Sequence, residues 1–137
     1  SLAVVMYHSA VAERAGLHVT DHKCLGLLLE NDAVTPGMLA EQTGLSSAAV
    51  TAVLDRLERA GFVRRVPDPR DRRRVLLHVR EEKVAAEIAP LMAPFRSAMG
   101  RLMSAYEPEQ RAVIVDFLLK CTELFKAEAA RLRERAE

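Results

Sequence analysis

The sequence predicts a mainly α fold with one small β-wing, and three observations carry that prediction. Apolar residues recur at spacings of three and four through most of the 137 positions. That rhythm breaks once, where Phe62-Val63-Arg64-Arg65-Val66 and Val75-Leu76-Leu77-His78-Val79 flank the turn-rich loop Pro67-Asp68-Pro69-Arg70-Asp71. Arginine is concentrated at and just before that break.

Taken in order, residues 1–15 are apolar and Ala-rich and end at Gly16, as a first helix would. Thr20 or Asp21 is placed to cap a second helix, which runs to about Glu30 through Cys24, Leu25, Leu27, Leu28 and Leu29. Asn31-Asp32 breaks it. Thr35-Pro36 opens a third helix, because Thr accepts from orphan amides and Pro is preorganised for the first helical position. Glu41-Gln42-Thr43-Gly44 closes it, with Gly44 suited to a left-handed terminal residue. Ser46 then caps a fourth helix through Ala60, and Gly61 terminates it. Inside this helix Val50, Val53, Leu54 and Leu57 form the apolar stripe, whereas Ser47, Ala48, Thr51, Asp55, Arg56 and Arg59 lie off it.

The two strands follow as a ribbon with a basic tip. From Glu81 the chain is helical again: Val84, Ile88, Leu91, Phe95, Met99 and Leu102 recur close to the 3.5-residue repeat of an interhelical seam. Pro90 and Pro94 fall inside this helix and are expected to kink it. Glu107-Pro108 separates a last helix, 109–135, in which Val113, Ile114, Phe117, Leu118, Cys121, Leu124 and Phe125 make a broad apolar face. Cys121 is expected to pack in a core there. No linker divides the chain, so a single domain is expected over 1–137.

Composition narrows the function classes. Half the residues are hydrophobic and 28% are charged, which excludes a disordered or fibrous chain. No apolar run approaches the ~18 residues of a membrane span. The start, Ser1-Leu2-Ala3-Val4-Val5-Met6, has no basic n-region, and without an initiator Met it reads as a trimmed piece of a longer frame. Two cysteines, Cys24 and Cys121, fit a reducing cytoplasm better than a stapled secreted scaffold.

The net charge of +1 conceals an asymmetry. Between Arg56 and Arg74 eight arginines stand against Glu58, Asp68 and Asp71, a local balance of +5, which leaves −4 for the remainder. An anionic partner at one place on a mildly acidic body is implied. With no Trp and only 4% aromatics, stacking on single-stranded bases is poorly supplied, so duplex is the better partner.

The block 35–79 suits duplex DNA. A helix over 46–60 is about 22 Å long and fits a major groove about 12 Å wide. Ser46, Ser47 and Ala48 are small enough for close backbone approach, and the amides at this helix start and near Thr35 favour phosphate. Thr51 can meet a base edge and Arg56 a phosphate. Arg70, Arg72, Arg73 and Arg74 at the ribbon tip suit a narrow minor groove. Asp68 and Asp71 among them are expected to orient a guanidinium, with Arg65 as a partner.

The run Thr35-Pro36-Gly37-Met38-Leu39-Ala40-Glu41-Gln42-Thr43-Gly44-Leu45-Ser46 carries a resemblance together with Val50-Thr51, Leu54-Asp55-Arg56-Leu57-Glu58-Arg59-Ala60-Gly61-Phe62-Val63-Arg64-Arg65 and Asp68-Pro69-Arg70-Asp71-Arg72-Arg73. It resembles the winged helix-turn-helix of the MarR family of bacterial transcriptional regulators, and the flanking helices extend the likeness over nearly the whole chain. The resemblance implies a winged helix-turn-helix at 35–80, with dimerisation helices at 1–16 and 82–136. It implies an obligate homodimer whose second turn-motif helix enters the major groove. Asp71 and Arg73 match the wing's Asp-x-Arg, with Arg73 in the minor groove. The chain departs from the family pattern at Val79-Arg80-Glu81-Glu82-Lys83, where the usual Thr cap before the fifth helix is missing.

Dimerisation also has a physical argument. Apolar terminal helices have no partner layer in so small a chain except each other. A two-fold dimer buries them and spaces two reading heads by about 34–36 Å, one turn of an inverted-repeat operator.

The remaining candidates carry less. Cys24 lies outside the first helix, where the peroxide-responsive branch of the family places its reactive thiol, so it is expected to pack. His18 and His22 have the spacing of a helical metal pair, but His18 precedes the expected helix start, so no metal site is expected. The resemblance implies a small aromatic or anionic effector, for which Tyr7, His8, His22 and Phe95 are candidates by polarity or size. No Gly-rich phosphate loop, HExxH or CxxC is present, so neither an enzyme nor a cofactor is expected. The expected function is a cytoplasmic, nucleoid-associated repressor released by that effector. The alternative is a winged-helix protein-interaction scaffold without DNA binding.

Overall fold

The computed structural model describes residues 2–134. Its elements follow in the order α1 (Leu2–Arg14), α2 (Val19–Glu30), α3 (Pro36–Thr43), α4 (Ser47–Arg59), β1 (Val63–Pro67), β2 (Val75–Val79), α5 (Glu81–Glu87), α6 (Ala89–Ser104) and α7 (Pro108–Glu134). The backbone falls into two compact units, Ser1–Ala93 and Pro94–Glu137. The expected assignments at position 1 and at 135–137 lie outside the described residues. Among the described residues no helix is long and apolar enough to cross a membrane.

The first unit is built on one core. The α4 stripe of Val50, Val53, Leu54 and Leu57 is buried together with Leu25 and Leu28 of α2, Leu39 of α3, Phe62 just before β1, and Val63 and Leu77 of the ribbon. The two strands pair antiparallel in the register Val63↔Val79, Arg64↔His78, Arg65↔Leu77, Val66↔Leu76 and Pro67↔Val75. The Leu77 N–H donates to the Val34 carbonyl at 2.9 Å, which ties the ribbon to the segment before α3.

The turn motif forms as its caps dictate. Thr35 Oγ1 accepts from the Met38 N–H and Ser46 Oγ from the Ala49 N–H, each at 3.2 Å. Gly44 sits at φ 71°, and its N–H closes α3 on the Ala40 carbonyl at 2.8 Å.

Elsewhere the structure corrects the sequence reading. α2 starts at Val19, and His18 precedes it with no side-chain cap. Neither Thr20 nor Asp21 caps it, because Asp21 is buried and serves a distant partner. The helix expected from Glu81 through 102 is broken at Ile88. Pro90 has no N–H to continue the ladder, so it stands in the first turn of α6, while Pro94 is inside α6. The seam divides with it. Val84 and Leu91 pack on the first unit's core around buried Ile88, whereas Phe95, Met99 and Leu102 are exposed. α5 starts without a side-chain cap at Arg80, and Glu81 and Glu82 place negative charge in its first turn instead. In the second unit α7 exposes Val113, Phe117, Leu118, Leu124 and Phe125, and Cys121 is partly exposed rather than in a core.

Candidate nucleic-acid interface

α4 buries one stripe, and its helical period places Ala48, Ala52, Asp55 and Arg59 directly opposite, all exposed. Ser47, Thr51 and Glu58 lie on one flank and Arg56 on the other. The exposed face is therefore small and polar through its first two turns and basic at its end.

Several predicted site residues have local partners. The Thr35 and Ser46 hydroxyls cap their helices, and the exposed Thr51 donates its Oγ1 hydrogen to the Ser47 carbonyl at 2.9 Å. Ser47 and Ala48 are open. Arg56 is not extended towards solvent. Its Nε and Nη2 donate to Asp21 Oδ2 and Oδ1 at 2.8 and 2.6 Å, which turns it into a tie between α4 and α2. The Asp21 hydrogen bonds hold the Arg56 guanidinium still more firmly charged.

The ribbon corrects a second assignment. Arg65 partners neither Asp68 nor Asp71. Strand side chains alternate, so Arg65 shares the inward face of β1 with buried Val63. From there its Nη2 donates to Asp55 Oδ1 at 2.7 Å and its Nη1 to Glu58 Oε2. Nη2 also lies 3.5 Å from the Thr51 carbonyl, at the limit of hydrogen bonding. Glu58 accepts the Arg65 backbone N–H at 3.1 Å. That bond, and then the guanidinium, hold the Glu58 carboxyl below its ordinary pKa.

The two wing aspartates act on main chain. Asp68 accepts from the Arg70 N–H at 2.8 Å, and Asp71 Oδ1 accepts from the Arg73 N–H at 3.0 Å. The ladder continues past the strands through Asp68 N–H to the Arg74 carbonyl at 2.9 Å, and Arg74 N–H returns to the Asp71 carbonyl at 2.8 Å. Arg74 also lies 3.9 Å from the Asp68 carboxylate, a loose ion pair. Arg70, Arg72, Arg73 and Arg74 are all exposed. Among the described residues no carboxylate lies within ion-pair distance of the Arg70, Arg72 or Arg73 guanidinium. A tip shaped by its backbone and carrying open guanidiniums can meet a polyanion without first breaking internal bonds.

Two further arginines belong to this surface and were not singled out as DNA contacts. Arg59 is exposed at the end of the α4 outer face, three turns beyond Ala48, and helical periodicity alone could have found it. Arg64 is exposed on the outward face of β1, which strand alternation marks equally well.

The candidate effector residues are divided between the units. In the first, the His8 and His22 rings approach to 5.5 Å, and Tyr7 meets His8 edge-on at 5.3 Å. Phe95 belongs to the second unit, exposed on α6. Burial, then the neighbouring His8, lowers the His22 pKa. His18 is exposed. Cys24 is buried, and burial followed by the Asp21 charge raises its thiol pKa, with Arg56 opposing them.

Comparison with known proteins places this geometry. The sequence profile of the MarR family matches residues 17–75. An uncharacterized HTH-type transcriptional regulator of Bacillus subtilis (strain 168), YcgE, is 38% identical over 130 residues, covering 95% of this chain and 84% of that protein. The fold is similar to that of a MepR mutant from a multidrug-resistant S. aureus clinical isolate, with a TM-score of 0.74, 19% identity and 86% of each chain covered. It is also similar to Streptococcus pneumoniae FabT, solved in complex with DNA, with a TM-score of 0.60, 23% identity, and 81% of this chain and 77% of that chain covered. The capped turn motif, the arginine-tipped wing and the extent of these matches agree: the chain belongs to the MarR family of transcriptional regulators.

Proposed function

We propose that the protein is a homodimeric, sequence-specific repressor that reads an inverted-repeat operator in double-stranded DNA. The α4 outer face, with Ser47, Ala48 and Thr51, enters the major groove. The amides capped by Thr35 and Ser46 approach phosphate, and Arg70, Arg72, Arg73 and Arg74 work at the minor groove, Arg73 deepest. Arg56 contributes through the placement of α4 rather than through a phosphate. The members of this family are transcriptional regulators, not enzymes.

The observation that carries the proposal is a small-faced helix joined to a wing whose four arginines are exposed, three of them, Arg70, Arg72 and Arg73, with no carboxylate within ion-pair distance among the described residues. A fold neighbour, FabT, crystallised in complex with DNA, supports it. Open apolar side chains on α7 support a second copy as the other partner. Release by a small aromatic or anionic effector, with Tyr7, His8 and His22 of the first unit as its contacts, completes the reading. A cytoplasmic place of action on the nucleoid follows from it.

The test is operator selection from a random duplex library, then titration of the bound duplex against salt. Affinity is expected to fall steeply as salt rises. Arg73→Ala is expected to weaken operator binding by about tenfold to a hundredfold, with the oligomeric mass unchanged. Unchanged affinity would remove the wing from the interface. Absence of any duplex binding at low salt would favour the protein-interaction scaffold.

A further inference from the structure

We propose that Arg65 is a positioning residue that fixes the angle between the wing and the reading helix, and so sets operator discrimination without touching DNA. The inference rests on the DNA-binding reading above. Arg65 stands opposite Leu77 in the ribbon, at the level where the buried base of the wing gives way to its exposed tip. Its guanidinium meets Asp55, Glu58 and, at the limit of range, the Thr51 carbonyl. Glu58 in turn holds the Arg65 backbone N–H. Positions 51, 55 and 58 are three and four residues apart, so they neighbour one another along the edge where one flank of α4 meets its outer face. A rigid planar fork gripping several points on that edge restrains both the tilt and the sliding of the ribbon against the helix. An ammonium group of the same charge has no such plane.

Two facts separate this role from the obvious alternatives. The cluster holds one guanidinium between two carboxylates, so its formal charge is negative, and it is a poor place to receive a phosphate. The open arginines of the tip have the opposite character. Nor is the cluster chiefly a stability device, since the Asp55 and Glu58 side chains are 49% and 40% exposed and ion pairs that open to water stabilise little. What it supplies is relative geometry between two elements that must fit two grooves of one duplex at once.

The experiment compares the intact protein with Arg65→Lys, which keeps the charge but loses the fork, and with the charge-balanced double variant Arg65→Met/Glu58→Gln. Each is titrated at several salt concentrations with the selected operator and with a scrambled duplex of equal length. Both variants are expected to bind the operator about tenfold more weakly, with scrambled-duplex affinity and salt slope preserved. Discrimination then falls by the same factor. If the double variant does not fold, Arg65→Lys decides alone. Wild-type discrimination in Arg65→Lys would overturn the proposal. So would an equal loss on both duplexes in the double variant, with a salt slope lower by about one, because that is the behaviour of a phosphate contact. A wild-type protein that holds neither duplex would overturn the DNA reading and this inference together.

Discussion

Arg56 grips both oxygens of Asp21, whose side chain is 2% exposed. Arg56→Met would leave that carboxylate buried without its donors, and a destabilisation of about 2–3 kcal/mol is expected. The readout is a lower urea midpoint at unchanged m-value. An unchanged midpoint would mean that Asp21 finds other donors and that α4 does not depend on this tie. The Arg56 side chain is itself 35% exposed, so Asp21→Asn, which removes the buried charge instead of stranding it, is the milder change. Cys24 lies one turn along α2 from Asp21. A thiol pushed up by burial and by a neighbouring carboxylate is kept from the thiolate form, which suits packing rather than sensing. The Asp21 tie could not be read from local patterning. Its partner is 35 residues away, and an acid near a helix start resembles a cap. Arg65 carried a signal that the pairing with the tip aspartates overlooked: strand alternation puts it inward, towards α4 and away from them.

At the scale of elements, the turn motif follows its caps. Each cap involves residues only three or four positions apart, which is why α3 and α4 could be placed from sequence almost to the residue. Ser46→Ala removes the acceptor of the Ala49 N–H. It is expected to cost about 1 kcal/mol of stability, seen as a lower melting temperature, and to reduce operator affinity because the same helix start approaches phosphate. A melting curve identical to wild type would mean that water replaces the hydroxyl at no cost. The α5–α6 boundary was harder to see, since the apolar repeat runs through Ile88 without interruption. Periodicity registers which residues face a core, not whether the ladder between them is continuous, and Pro90 decides the latter.

At the scale of the whole molecule, the chain as described leaves large apolar side chains open in both units, among them Leu2, Val4 and Val5 on α1 and Val113, Phe117, Leu118, Leu124 and Phe125 on α7. Water contact over so many of them is unfavourable, and a second copy is the proposed cover. Sedimentation of the wild type is expected to give twice the 15.2 kDa chain mass, and Phe117→Glu is expected to shift it to the single chain by placing a charge in that interface. A wild-type mass of one chain at high concentration would remove the paired reading heads. The wing tip has a wider consequence. Its curvature is held by hydrogen bonds that backbone N–H groups donate to Asp68 and Asp71, so the guanidiniums around it have little architectural duty. Relatives could trade those side chains for others, and thereby change which operators they favour, while the hairpin beneath stays as it is.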